Sequence, residues 1–254
     1  MHSPLILIYH IPKTAGLSLR TYLQDGLSDD QFCLLKPAAN SPGNETGSRS
    51  NLASLPIKTK SSLKAVMGHE VSFATKDFFP NRQHLFSTVI REPTGRIASN
   101  INYALSRIAT GDAEYFSNFP NVQDRQRFAA QLYAGERPTE LCIEQYIKVQ
   151  QARSGWPNFQ CFWLVAGFSK MIDVSSDQSL AKYAMEILKK FWLVGTFERL
   201  SHYMHRLARE LNLPPFDIHH NKSIKQICES EMREHLAPYD FSHDNEIHSR
   251  YNRD

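Results

Sequence analysis

The sequence has no G-x-x-x-x-G-K-[ST] loop, no H-E-x-x-H and no C-x-x-C. The first absence counts against an ordinary P-loop kinase, the second against a zinc protease, the third against a dithiol redox site. The four cysteines, Cys33, Cys142, Cys161 and Cys228, are scattered without metal-ligand spacing, so free thiols in a reducing cytoplasm are expected. His202 and His205 can share a helix face and His219 adjoins His220, but no carboxylate or cysteine completes a set, and no metal is expected. No apolar run approaches the ~18 residues that span a bilayer. Nor does the N-terminal apolar stretch have a basic flank or a small-residue cleavage site, so no signal peptide is expected and the chain is read as cytoplasmic. A net charge of +3 without a basic run gives no reason to expect nucleic acid as a partner. There is no internal repeat and no break in composition, so residues 1–254 are expected to form one domain.

What is present begins with Leu5-Ile6-Leu7-Ile8-Tyr9, followed by His10-Ile11-Pro12-Lys13-Thr14-Ala15-Gly16-Leu17-Ser18. Five consecutive apolar residues suit a central strand of a parallel sheet, buried on both faces. Pro12 and Gly16 punctuate a turn, after which Leu19, Tyr22 and Leu23 recur at helical spacing, predicting a helix near residues 17–25. A strand–turn–helix of this kind aims backbone N–H groups and the positive end of a helix dipole at one point. Lys13 adds a full charge, and Thr14 and Ser18 add hydroxyls. The stretch reads as a phosphate cradle with its lysine before the glycine, the reverse of a Walker loop.

Further strands are predicted at 64–67, 85–90 and 192–195. A helix should start at Pro93, and helical periodicity recurs at 122–134, 139–152, 178–191 and 199–211, with two short helices in the tail at 229–252. Strands alternating with helices imply an α/β fold, a central parallel sheet flanked by helices. Residues 40–51 hold no large apolar side chain and read as a long loop that could cover an acceptor.

A second anion signal is Arg91-Glu92-Pro93-Thr94-Gly95-Arg96-Ile97-Ala98-Ser99, at the carboxyl end of a predicted strand, where ligands of open α/β sheets sit. Five residues of helix carry Ser99 only ~8 Å beyond Thr94, so the Arg91 fork and the Ser99 hydroxyl can converge on one anion. Between the two signals lies Gly68-His69-Glu70, again at a predicted strand end.

Taken in order, H-I-P-K-T-A-G-x-S, G-H and R-E-P-x-x-R-x-x-S resemble the motifs of the carbohydrate sulfotransferases of the heparan-sulfate 2-O-sulfotransferase-like group. The resemblance implies a P-loop-like three-layer fold and 3′-phosphoadenosine 5′-phosphosulfate (PAPS) as sulfuryl donor, with PAP as product. It implies that Pro12, Lys13, Thr14, Ala15, Gly16, Leu17 and Ser18 hold the 5′-phosphosulfate. Arg91 and Ser99 would hold the 3′-phosphate, and Lys222, in an asparagine-bearing loop, would add a further contact. In several members of that group the histidine of the G-H motif is the general base, which points to His69, with Glu70 beside it as the competing candidate or an acceptor contact. Leu17 stands where the family usually has threonine. Asn158-Phe159-Gln160 and Val194-Gly195-Thr196-Phe197-Glu198 resemble weaker family stretches. The implied function is sulfuryl transfer to an acceptor hydroxyl on a carbohydrate or glycolipid. The alternatives are an ATP-using P-loop kinase and a nucleotide-binding protein without turnover.

Overall fold

The computed structural model describes residues 3–35, 52–109, 147, 156–171, 179–216 and 229–253. Its centre is a five-stranded sheet in which every neighbouring pair runs parallel. The strands are β1 (Leu5–Tyr9), β2 (Phe32–Leu35), β3 (Ala65–Gly68), β4 (His84–Ile90) and β5 (Leu193–Thr196), in the spatial order β2-β3-β1-β4-β5. The apolar run takes the central place because both its faces are covered. Leu5, Leu7 and Tyr9 pack into one core with the helices Phe159–Phe168, Leu180–Lys189 and Ser242–Tyr251. Ile6 and Ile8 pack into the other with Gly16–Gly26 and Leu200–Leu211. This is the α/β architecture expected, helices on both faces of a parallel sheet.

Register decides where the site falls. Tyr9 pairs with Gly68 on one side and Thr88 on the other, so β1, β3 and β4 end side by side. His10, His69 and Arg91, which follow those strands, emerge along one edge of the sheet. The chain leaves β1 toward β2 but leaves β3 for β4 on the opposite side. The crevice between the ends of β1 and β4 is therefore the topological switch point, the usual ligand position of such sheets.

Several expectations shift. Strand β2 was not expected from the sequence. It is a short edge strand with only Leu35 fully buried, so neither an apolar run nor an alternation marks it. The helices Ile57–Ser62 and Phe159–Phe168 were not expected either. The second is apolar nearly all round because it lies beneath the tail helix, which erases the one-sided pattern that marks a surface helix. The strands near 64–67 and 192–195 are each displaced by one residue, to Ala65–Gly68 and Leu193–Thr196. The helix near 17–25 runs from Gly16 to Gly26, and the tail does form two helices, Glu229–Leu236 and Ser242–Tyr251. Residues 40–51, the helices expected at 122–134 and 139–152 (Ile147 apart), and Lys222 lie outside the described residues.

Candidate active site

The loop after β1 is shaped by two left-handed residues, Lys13 at φ 70° and Ala15 at φ 76°. Neither is glycine, so each carries a steric cost of order 1–3 kcal/mol that the surrounding fold must overcome. Between them Thr14 is sealed, at 1% exposure, and its hydroxyl donates to the Ile11 carbonyl at 2.7 Å. That hydroxyl is thus committed within the loop, and Thr14 has its backbone N–H left to offer an anion. Ala15 caps the Gly16–Gly26 helix without a side-chain hydrogen bond, and no acidic residue stands in the first turn. The first N–H groups of the helix and its positive dipole end remain for a ligand. Ser18 is half-buried in that first turn, while Leu17 is exposed at 60%. The substitution of leucine for threonine removes a hydroxyl there and puts an apolar surface beside the loop.

Arg91 is held from three sides. Its backbone N–H donates to Gln160 Oε1 at 2.9 Å and its carbonyl accepts from Gln160 Nε2 at 2.8 Å. Its guanidinium lies 4.0 Å from the Phe197 ring centroid, and Nη1 reaches the Lys13 carbonyl at 3.4 Å. Gln160 is fixed in turn by Asp244, fully buried on the last helix, whose two carboxylate oxygens accept from the backbone N–H groups of Gln160 and Cys161 at 3.0 and 2.9 Å. Glu92 caps the helix Pro93–Ala109, accepting from Gly95 N–H at 2.5 Å. The N–H of Glu92 itself donates to Glu198, which pairs with His248 at 2.9 Å. The resemblance of Asn158-x-Gln160 thus has a physical content that sequence reasoning missed: it clamps the peptide of Arg91.

The same helix supplies Tyr103, whose ring lies 3.9 Å from Lys13 Nζ. Ser99 is one turn earlier, four residues before Tyr103 on the same helix face, and is half-buried. The structure therefore brings Lys13, Arg91 and Tyr103 to one crevice. Burial and then the charge of Arg91 lower Lys13 to about 8. Two cations pressed together in a half-buried crevice favour an anion between them. Arg96 instead stacks on Phe159, 4.5 Å from its ring, at the wall of the site.

On the other side of β1, His69 Nδ1 lies 2.6 Å from the His10 carbonyl. A carbonyl only accepts, so Nδ1 carries the proton and Nε2 keeps the lone pair. The two imidazoles stack at 4.2 Å and 22°, and Trp163 meets His69 edge-on at 5.7 Å. Burial, partly offset by the bond to His10, holds His69 below the usual imidazole value, so it is neutral at pH 7 and able to accept a proton on Nε2. Glu70 follows on the same turn, half-buried. Gly68 is needed because β2 passes close: a Cβ there would stand 2.4 Å from the Leu35 carbonyl oxygen.

Burial first, then the charges of His69 and Lys13, lowers His10 to about 3. The unfolded chain takes up this proton near pH 6.5, so the contribution of a neutral His10 is complete above that pH and is lost as pH falls toward 3. The slope is up to about 1.4 kcal/mol per pH unit for one proton. Urea midpoints measured from pH 7.5 to 4.5 should fall accordingly, and His10→Phe should flatten the decline. An unchanged slope in that variant would assign the acid sensitivity to other groups.

Among the described residues, no three His, Cys, Asp or Glu side chains group closely enough to hold a metal, and no helix is long and apolar enough to cross a membrane. No protein-family model matches the chain, and no curated protein matches it in sequence. Among solved structures, a sulfotransferase from Alicyclobacillus acidocaldarius is similar over 100% of this chain and 98% of that one, at 14% identity and a TM-score of 0.46.

Proposed function

We propose that this protein is a PAPS-dependent sulfotransferase whose acceptor is a hydroxyl on a carbohydrate or glycolipid. The observation that carries the reading is the meeting of two anion-binding elements, the Lys13 loop and Arg91, at one crevice of the sheet, with Nε2 of His69 at the adjoining strand end. The motif resemblance names the donor and the acceptor class.

In the proposed reaction the acceptor oxygen attacks the sulfur of PAPS as His69 Nε2 takes its proton. The bond between sulfur and the bridging oxygen breaks, and PAP departs with the added negative charge. Lys13 and the N–H groups of residues 14–18 stabilise that charge, preorganised by the two left-handed residues and the uncapped helix. Arg91 and Ser99 take the 3′-phosphate, remote binding energy that positions the reacting end. PAP should raise the melting temperature far more than AMP or ADP at equal concentration, and labelled PAPS should transfer its sulfuryl group to a glycan or glycolipid. Equal shifts for PAP and ADP would overturn the donor; a PAP-specific shift without transfer to any hydroxyl would leave a binding protein.

The lowered Lys13 adds a pH dependence with a definite sign. An anion in the crevice favours charged Lys13, so its pKa rises on binding. PAP affinity should hold below about pH 8 and fall above it, with protons taken up on binding in that range. Calorimetry in two buffers of different ionisation enthalpy measures the uptake. Lys13→Arg should abolish it because guanidinium stays charged. No uptake in the wild type would place Lys13 away from the anion.

A further inference from the structure

We propose that the ring of His10 is a positioning residue for His69, holding the second imidazole in the plane that keeps Nδ1–H on the His10 carbonyl and leaves Nε2 as the proton-accepting nitrogen. The inference rests on the proposed function for its catalytic meaning, but not for its geometry.

One residue grips His69 twice: the His10 carbonyl accepts from Nδ1 at 2.6 Å while the His10 ring covers its face at 4.2 Å. The His10 ring is itself trapped. A Cβ on Gly16 would lie 1.8 Å from its Cε1 and Nε2, so the phosphate loop keeps a glycine where this ring fits. Its Nε2 is sealed from solvent without a hydrogen-bond partner among the described residues. A nitrogen so enclosed does not meet a ligand arriving from solvent, which means that His10 acts through its ring on His69 rather than on the donor. Trp163 meets His69 in a T-shaped contact at 5.7 Å, and its carbonyl accepts from the Tyr9 hydroxyl at 2.8 Å. The imidazole is thus held between a stacked ring and a perpendicular one, with the bond from Nδ1 to the His10 carbonyl fixing its rotation.

The titratable groups around His69 are His10 and Lys13 from the loop after β1 and Glu70 on its own turn. Tyr9 on β1 is kept protonated by burial, and the helix Phe159–Phe168 presents the Trp163 ring. Of these His10 alone stacks on it, and a neutral His10 adds no charge that would itself move the titration.

The test is the histidine ring ¹⁵N–¹H spectrum of the full chain, titrated from pH 5 to 8, for the wild type, His10→Leu and His10→Phe. Wild-type His69 should carry its proton on Nδ1 and titrate below 6.5. In His10→Leu, which fills space without a ring plane, the tautomers should mix, and the titration should move further down, because the bond to the residue-10 carbonyl that offsets burial is then only partly made. In His10→Phe, which keeps a ring, Nδ1–H should persist. A proton on Nε2 in the wild type would overturn the proposal with no variant needed. So would a His10→Leu spectrum like the wild type's, or a His10→Phe spectrum as disturbed as that of His10→Leu. The readout needs no donor and no turnover, so failure of sulfuryl transfer would remove the proposed function and leave this result standing.

Discussion

His69→Ala is expected to lower kcat by ~10²–10⁴-fold, the usual contribution of a positioned general base, while PAP affinity stays near that of the wild type. The separation follows from the placement of the groups. His69 stands at the end of β3, and the groups proposed to bind the anion belong to the loop after β1 and the turn after β4. In the wild type the rate should rise with pH along a limb on the acid side of the ordinary imidazole value, because burial disfavours the charged ring. That limb should vanish in His69→Ala. Glu70→Gln is the matched control, because Glu70 adjoins His69 in sequence and sits half-buried on the same turn. A crippled Glu70→Gln beside a normal His69→Ala would reverse the two roles.

Arg91→Ala should weaken PAP by about 2 kcal/mol or more, roughly thirtyfold in Kd, the scale of a charge-assisted bond to phosphate. AMP, which lacks the 3′-phosphate, should lose much less, and the ratio of the two losses is the measurement that matters. A second effect accompanies the first. Arg91 is the charged group that lowers Lys13 after burial itself, so its removal should move the alkaline limb of PAP binding to higher pH. Equal losses for PAP and AMP would mean that Arg91 supports the loop through the Lys13 carbonyl and does not touch the 3′-phosphate.

Leu5–Tyr9 announced its own place, because five apolar residues in a row are stable as a strand only where both faces are covered, and the only such strand position in a three-layer fold is inside the sheet. The turn through Pro12 and Gly16 and the helix start at Pro93 were equally legible, since turns and helix ends depend on residues within a few positions of one another. Placing Lys13, His69 and Arg91 after strands followed from the same local signals. That they share one edge is what the parallel register then adds, because parallel strands all end on the same side.

The rest was decided by contacts between distant parts of the chain. Gln160 reaches Arg91 across 69 positions and Asp244 reaches Gln160 across 84, and no periodicity encodes either. Gly16 read as a turn residue, but its missing side chain is required by the His10 ring. Thr14 read as a hydroxyl donor for a ligand, whereas its hydroxyl closes the loop on Ile11. His69 was marked by its position, while the nitrogen that keeps the lone pair is set by the carbonyl of His10, 59 positions earlier. Residue types and local spacing marked a strand–turn–helix with a lysine before its glycine, a basic strand end and a histidine between them. Only the packing of β1 between β3 and β4 brought the three together, because side-chain geometry at a site depends on register and on helices that arrive from far along the sequence.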